Sequence, residues 1–424
     1  MDLTTELLQR IDANAGQHSR LDRYYEGMSP LAFLSPEAVK ALGDRLRRVS
    51  VNVPRLLVDS MAERLRVTGI KGADVWDDWL RNDLDQVSHV AHREALILGS
   101  SFAIVWAGAD RRPQVSIESA RQMSMIVDPG SRRPIAAAKR WTTATTTEAT
   151  IFEAEQITRL RANNTGATTT GFEVVEVLDN PLGVVPVVRF TNSARLLDEC
   201  GRSEMADVLD LSDAVTKLTT DLLIASEFGA RPRRWATGVE LVEDDDGNVR
   251  NPFPEGDRMM ISEAEGAKFG QLAGADLAGY ENAIGVLMRQ ISAVSGLPEH
   301  QLGIGGDNPP SADSIRASEA ALTARAEAKQ AQFGRSWEQV ARLIVGVRDG
   351  VDPLTVEPRI EWADAATRSE AQEADAVTKL YAAGLLPASY ALKRLGYSDG
   401  EVDEIHAARA RDAVANIDAS AVLA

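Results

Sequence analysis

Apolar residues recur at helical spacing through most of the first hundred positions. Leu7, Leu8, Ile11 and Ala15 share one face. Pro36 to Val49 opens on a proline suited to a first turn and predicts a second helix. Pro54 to Leu65 predicts a third, with Leu57, Met61 and Leu65 at i, i+4 and i+8. A further helical stretch is expected around Asp77 to Leu98, carrying Trp76, Trp79, Leu80 and Leu84, then Val87, Ala91, Ala95 and Leu98.

The pattern then shortens to strands. SFAIVWAG (Ser101 to Gly108), QVSIES, MSMIVDPGS and PIAAAKRWTT are separated by Pro and Gly punctuation. The threonine-rich runs TTATTTEATIF and NNTGATTTGFEVVEVL predict exposed strands and a flexible turn, because threonine suits a pleat better than a helix. LGVVPVVRF (Leu182 to Phe190) closes this region.

Helical spacing returns at Ser203, a good N-cap. Leu211, Val215, Leu218, Leu222 and Ala225 form a narrow apolar seam, opposite Asp213, Lys217, Thr220 and Asp221. Gly229 and Pro232 end that helix. A β-type insertion follows, with Asp246-Gly247 as a hairpin signal. A helix from about Asp276 to Ser295 repeats the seam with Tyr280, Ile284, Leu287, Ile291 and Val294, and Gly296 and Pro298 terminate it. After the loop LGIGGDNPPS, one very long helix is expected from about Ser311 to Val347. Its first half has only Ile315 and Leu322 as large aliphatics. Its second half carries the stripe Phe333, Trp337, Val340, Ile344 and Val347. Short helices fill the tail from about Thr367. The fold class expected is α+β, mainly helical.

Composition narrows the functions available. The chain has 424 residues, a net charge of −17 and 44% hydrophobic residues, which fits a folded protein and argues against a general nucleic-acid coat. A single cysteine, Cys200, excludes an internal disulfide framework and any cysteine-based metal cluster. The first residues lack a basic segment followed by an apolar one, so no secretory signal is expected there. No apolar run approaches a membrane span.

Motifs for chemistry are weak. The loop glycines Gly303, Gly305 and Gly306 lack the Gly-Lys-Ser/Thr ending of a phosphate loop, and Pro309 and Pro310 supply no N–H donors. The acidic run Glu243 to Asp246 lacks calcium-loop spacing and reads as a solvated hairpin tip. His89 and His92 stand at i, i+3 and read as a surface or interface pair, with no third metal ligand evident. Arg231, Arg233 and Arg234 form a basic cluster. It suits either an acidic partner or DNA phosphates, or else helix C-terminal charge matching and intersubunit ion pairs. No catalytic residue, metal or cofactor is assigned.

The order of elements is more specific than any motif. Two seam helices flank a hairpin-bearing insertion, and a Gly/Pro loop, one very long helix and a small helical tail follow. This resembles the portal proteins of tailed bacteriophages, the siphophage head-to-tail connectors. The runs LDRYYEGMSPLAF, NVPRLLVDSMAERL, GSSFAIVW, NPLGVVPVVRF, GRSEMADVLDLSDAVTKLTTDLLIASEFGARPRRWATG and QISAVSGLPEHQLGIGGDNPPSADSIRASEAAL resemble portals from actinobacterial hosts. So does KQAQFGRSWEQVARL. The likeness covers about residues 20 to 415. The threonine-rich stretch near Thr142 to Thr170 looks like nothing distinctive in the family.

The resemblance implies a portal fold with a wing over 1–202, a stem helix over 203–229 and a β-containing clip over 230–274. It also implies a second stem helix over 275–296 and a tunnel loop over 297–311. A long wing helix and its return would occupy 312–360, and a helical crown 361–424. Gly303, Ile304, Gly305, Gly306, Asp307 and Asn308 would belong to the tunnel loop. Arg231, Arg233 and Arg234 would lie in the clip. Leu211, Val215, Leu218, Leu222, Tyr280, Ile284, Leu287 and Ile291 would pack the stem. Gly279 and Gly285 would permit close approach.

The implied function is a dodecameric ring at one capsid vertex, a channel for genome packaging and ejection. Its implied partners are the terminase large subunit, head-completion or adaptor proteins, major capsid and scaffold proteins, and double-stranded DNA passing through. It would be made in the host cytoplasm, reside in the virion and involve no membrane. The alternative is another structural head protein, a minor capsid or adaptor protein without a channel. Twelve copies carry about −204 charges in all, and an acidic bore would let DNA slide without sticking.

Overall fold

The computed structural model describes residues 2–29, 50–193, 195–230, 234–239, 242–243, 249–250, 266–271, 277–304, 311–366, 370–397 and 399–422. The helix expected over Pro36 to Val49 lies outside them. The chain divides into two units, residues 1–365 and 366–424.

In the first unit, α1 (Leu3–Tyr25) serves two cores in succession. Leu7, Leu8 and Ile11 pack with Ala136, Ala138, Ile151 and Leu160. Leu21, Tyr24 and Tyr25 join the main core. Ala15 lies between these two contacts and is exposed, unlike its expected face-mates. Helix α2 (Val53–Ala62) starts with Asn52, whose side chain accepts from Arg55 N at 3.2 Å, and Pro54 occupies the first turn. Leu57 and Met61 are buried, and Leu65 is buried just past the helix end.

The single helical stretch expected over Asp77 to Leu98 is two helices, α3 (Trp76–Arg81) and α4 (Leu84–Leu98). Asn82 breaks them. Its amide donates to Asp78 O and Pro113 O, and its carbonyl accepts from Val115 N. Asp83 then takes φ +53° and turns the chain. The break leaves Leu80 exposed while Trp79 and Leu84 are buried.

His92 on α4 corrects the surface-pair expectation. It is fully buried, stacked on Phe333 at 5.3 Å between ring centres, with Nδ1 3.1 Å from Leu65 O. His89 is only half-buried.

Strand β1 (Val67–Lys71) pairs antiparallel with β14 (Arg359–Trp362). Neither was expected, since both are short and lack alternation. Strands β2 (Ser100–Ala107), β3 (Pro113–Ser119) and β9 (Val187–Thr191) form one antiparallel sheet in the order β3-β2-β9. Strands β4 (Met123–Val127), β5 (Pro134–Thr142), β6 (Thr147–Glu153), β7 (Gln156–Ala162) and β8 (Phe172–Asp179) form a five-stranded meander. Strand β7 was missed because Arg and Thr interrupt its apolar positions. The expected exposure of the threonine-rich run holds only in part. Strand β6 is central, with Thr147, Thr150, Ile151 and Phe152 buried, whereas β8 at the edge is largely exposed.

Helix α5 (Leu209–Ala230) begins six residues after the expected N-cap. Ser203 Oγ accepts from Met205 N instead, and residues 204–208 form turns. Short strands β10 (Arg234–Thr237), β11 (Val242–Glu243), β12 (Val249–Arg250) and β13 (Lys268–Gln271) lead to α6 (Ala278–Ser295). The pair β11–β12 flanks Asp246 and Gly247, which lie outside the described residues.

Helix α7 (Ala312–Asp349) runs 38 residues, about 57 Å at the standard rise. Ser311 caps it by accepting from Ser314 N, and Gly350 ends it at φ +67°. Phe333, Trp337, Val340 and Ile344 are fully buried in the main core. Its polar anchors are Ser336 Oγ to Arg189 O and Gln330 to the carbonyls of Arg64 and Ala363.

The second unit holds α8 (Glu370–Ala382), α9 (Ala388–Arg394) and α10 (Asp399–Val422). Val377, Ala391 and Val402 are its buried residues among those described.

Candidate functional site

The residues predicted to pack the stem lie on one helical pair. Helix α5 packs along α6, and both ends of the intervening segment are joined by the antiparallel β10–β13 ladder. Val215 and Ile291 are fully buried, and Leu211, Leu218, Leu222, Tyr280, Ile284 and Leu287 are half-buried. Leu211, Ile284 and Leu287 also rest against the main core.

The face of α5 opposite the apolar seam is not a solvent face. Ser212, Asp213, Thr216 and Thr220 are buried. Tyr24 of α1 donates to Asp213 Oδ2 at 2.7 Å. Burial pushes the Asp213 carboxyl above its ordinary range, and burial followed by that hydrogen bond pushes the Tyr24 hydroxyl up. Thr220 turns its hydroxyl back to Thr216 O at 2.7 Å, so it needs no outside partner. Lys217 and Asp221 form an ion pair one turn apart. One side of α5 is thus tied to the chain's own body. Leu223 of α5 and Val286 and Val294 of α6 are left exposed.

At the strand end, Arg234 opens β10 opposite Gln271. Arg231 and Arg233 lie outside the described residues. Trp235 pairs with Gly270, where a Cβ would come within 2.5 Å of the indole, so glycine is what lets the ring lie across β13.

The far end of α6 is closed by Gly296 at φ +76°. Arg325 of α7 donates to Val294 O at 3.1 Å and to Ser295 O, satisfying carbonyls that the helix end leaves open. A single turn over Glu299–Leu302 then leads to Gly303 at φ +71°, and Ile304 N returns to Glu299 O. Gly305, Gly306, Asp307 and Asn308 lie outside the described residues. Among the described residues, a Cβ on Gly279 would meet nothing within 4 Å and one on Gly285 only Arg289 of the same helix.

Ion pairs fix the start of α7. Arg64 meets Glu319 at 3.2 Å with both side chains nearly buried, and Arg64 also donates to Ala365 O at 2.6 Å. Lys329 is held by Glu204 and Asn192.

Among the described residues, no group of three His, Cys, Asp or Glu side chains could hold a metal ion, and no helix is long and apolar enough to cross a membrane. What the geometry offers is surface: a braced helix pair with apolar side chains facing outward, ahead of one long helix.

The family model for "Phage portal protein, SPP1 Gp6-like" matches residues 6–415. The chain belongs to the phage portal protein family. Two relatives agree with it. The portal protein of Mycobacterium phage D29 is 32% identical over 382 residues, covering 84% of this chain and 78% of the relative. That of Mycobacterium phage L5 is 31% identical over 385 residues, covering 84% and 77%. Two solved structures share the fold at 15% identity. A chain in the virion of a native gene transfer agent particle has a TM-score of 0.51, and one in the neck of an empty particle of that agent has 0.52. Each match covers 90% of this chain and 94% of the other. The portal-family fold is thus α+β, and membership supports a head-to-tail connector role within a virion.

Sequence reasoning overlooked one surface feature of this portal-family chain, the loop bearing Leu196 and Leu197. Its only signal was a leucine pair isolated among charged residues.

Proposed function

We propose that twelve copies form a closed ring at one capsid vertex, a channel through which the genome is packaged and later ejected. Residues 203–229 and 275–296 serve as stem helices, 230–274 as the clip, 297–311 as the tunnel loop, 312–360 as the long wing helix and its return, and 361–424 as the crown. The wing spans 1–202. The observation that carries this reading is the braced α5–α6 pair with a β ladder at one end and a glycine-ended turn into a 38-residue helix at the other. Exposed Leu223, Val286 and Val294 suit packing between neighbouring copies. Terminase and head-completion or adaptor proteins dock on the clip, and capsid and scaffold proteins meet the outer wing. The surplus negative charge keeps passing DNA from adhering.

Electron microscopy and mass photometry of the purified chain test the ring. Closed rings with a central channel are expected, and a monomer across the micromolar range overturns the proposal. Deleting Gly303 to Asn308 should leave rings intact and impair packaging. Charge reversal at Arg231, Arg233 and Arg234 should weaken terminase-dependent packaging. Unchanged packaging after reversal assigns these arginines to ion pairing within the ring.

A further inference from the structure

Between β9 and α5 the chain makes a loop whose root is clamped and whose tip is apolar. Asn192 and Arg202 pair at the root, N to O in both directions through Asn192 O and the Asn192 amide, at 2.8 and 2.7 Å. Gly99 and Gly201 meet there with no room for a Cβ on either. Glu199 sits between Arg10 at 3.7 Å and Arg132 at 3.9 Å, and Cys200 Sγ is 3.8 Å from Asn14. The loop is therefore held against α1. At its tip, Leu196 is 89% and Leu197 86% exposed, the most exposed large apolar residues among those described.

The same unit also carries a complementary feature. Leu7, Leu8 and Ile11 of α1 cover the face of the five-stranded sheet that bears Ala138, Ile151 and Leu160. Their strand neighbours Lys139, Phe152 and Arg159 point the other way and line a groove of about 950 Å³. Its apolar walls are Trp106, Trp141, Phe152, Leu178, Leu182 and Val351. Its cations are already matched, Lys139 by Glu118 at 2.5 Å and Arg159 by Glu176 at 3.1 Å. An anionic ligand finds no spare charge in those two, whereas apolar side chains find a wall.

We infer that Leu196 and Leu197 of one copy dock into this groove on the next copy. An apolar projection and an apolar groove at separate places on one unit are what a head-to-tail contact requires, since each copy uses both and a suitable rotation closes the chain of contacts into a ring. A second copy is favoured over nucleic acid because the leucines stand between Arg195 and Asp198, so the tip offers phosphates no net positive charge. It is favoured over charge-driven association because copies at −17 repel one another and need apolar contact to adhere. This inference rests on the ring proposed above.

The test uses two full-length variants beside the wild type. L196D/L197D alters only exposed side chains, so its circular dichroism should match wild type. The concentration at half assembly should rise more than about tenfold. In a C200S background, rings of L197C/V351C should give a ladder of disulfide-linked multimers on oxidation, and either single cysteine alone should not. Wild-type protein that forms no rings defeats the ring proposal itself. Wild-type rings together with normal L196D/L197D assembly and no ladder overturn this inference alone. Rings of L196D/L197D that assemble normally but fail to join another purified head protein assign the loop to that protein, and also overturn it.

Discussion

Trp337 of α7 donates its indole N–H to Nε2 of His92 on α4 at 2.7 Å, across 245 residues of sequence. Because an indole can only donate, Nε2 must accept, and the imidazole proton lies on Nδ1 facing Leu65 O. One neutral tautomer therefore joins the long helix, α4 and the end of α2 within the core.

His92→Leu removes both hydrogen bonds and leaves the Trp337 N–H and Leu65 carbonyl buried without partners. A loss of about 2–4 kcal/mol is expected from denaturant unfolding. Adding Trp337→Phe to that variant should cost less than it does alone, since the orphaned donor disappears with it.

Burial, and secondarily the neighbouring His89, lower the His92 pKa from 6.5 to about 3. Below about pH 6.5 the unfolded chain takes up a proton at this position that the native chain refuses. Its contribution is therefore complete above pH 6.5 and declines with acidification towards pH 3, by about 1.4 kcal/mol per pH unit. Unfolding measured from pH 7.5 to 4.5 should fall less steeply in His92→Leu than in wild type. Equal slopes would show that the native chain accepts the proton.

Tyr24 and Asp213 tie α1 to α5. Tyr24→Phe should cost about 1–3 kcal/mol at neutral pH, because it leaves a buried carboxylate short of a donor. Combining it with Asp213→Asn should recover part of that loss, which a double-mutant cycle measures.

Gly201 and Gly166 have nearly the same positive φ, +74° and +75°, in different surroundings. A Cβ on Gly201 would overlap the Gly99 carbonyl, whereas one on Gly166 meets nothing within 4 Å among the described residues. Gly166→Ala should cost about 1 kcal/mol of backbone strain. Gly201→Ala should lower the melting temperature further and raise hydrogen exchange across residues 192–204.

Local pattern was enough to place most long helices and most strands, because burial of one face imposes a period that survives in the sequence. The order of those elements, read with their local runs, pointed to the portal family. The stripe on the long helix is a clear case: Phe333, Trp337, Val340 and Ile344 are buried where helical spacing puts them, and Val347, near the helix end, is half-buried against the same core. Elements held by non-local partners were not legible. Strands β1 and β14 exist because residues 67–71 and 359–362 meet, and neither segment carries that information alone. His92 looked like half of a surface pair because its partners, Leu65, Phe333 and Trp337, are remote in the chain. Asp213 read only as part of the polar face of its helix, because its partner Tyr24 is likewise remote in the chain. Sequence by itself determined most long helices and most strands, which follow from periodicity, and the family likeness, which follows from element order and local runs. Tertiary structure alone decided which polar groups are buried, where Asn82 breaks a helix and which apolar residues remain uncovered. Those outcomes depend on contacts between distant segments, which no local spacing encodes.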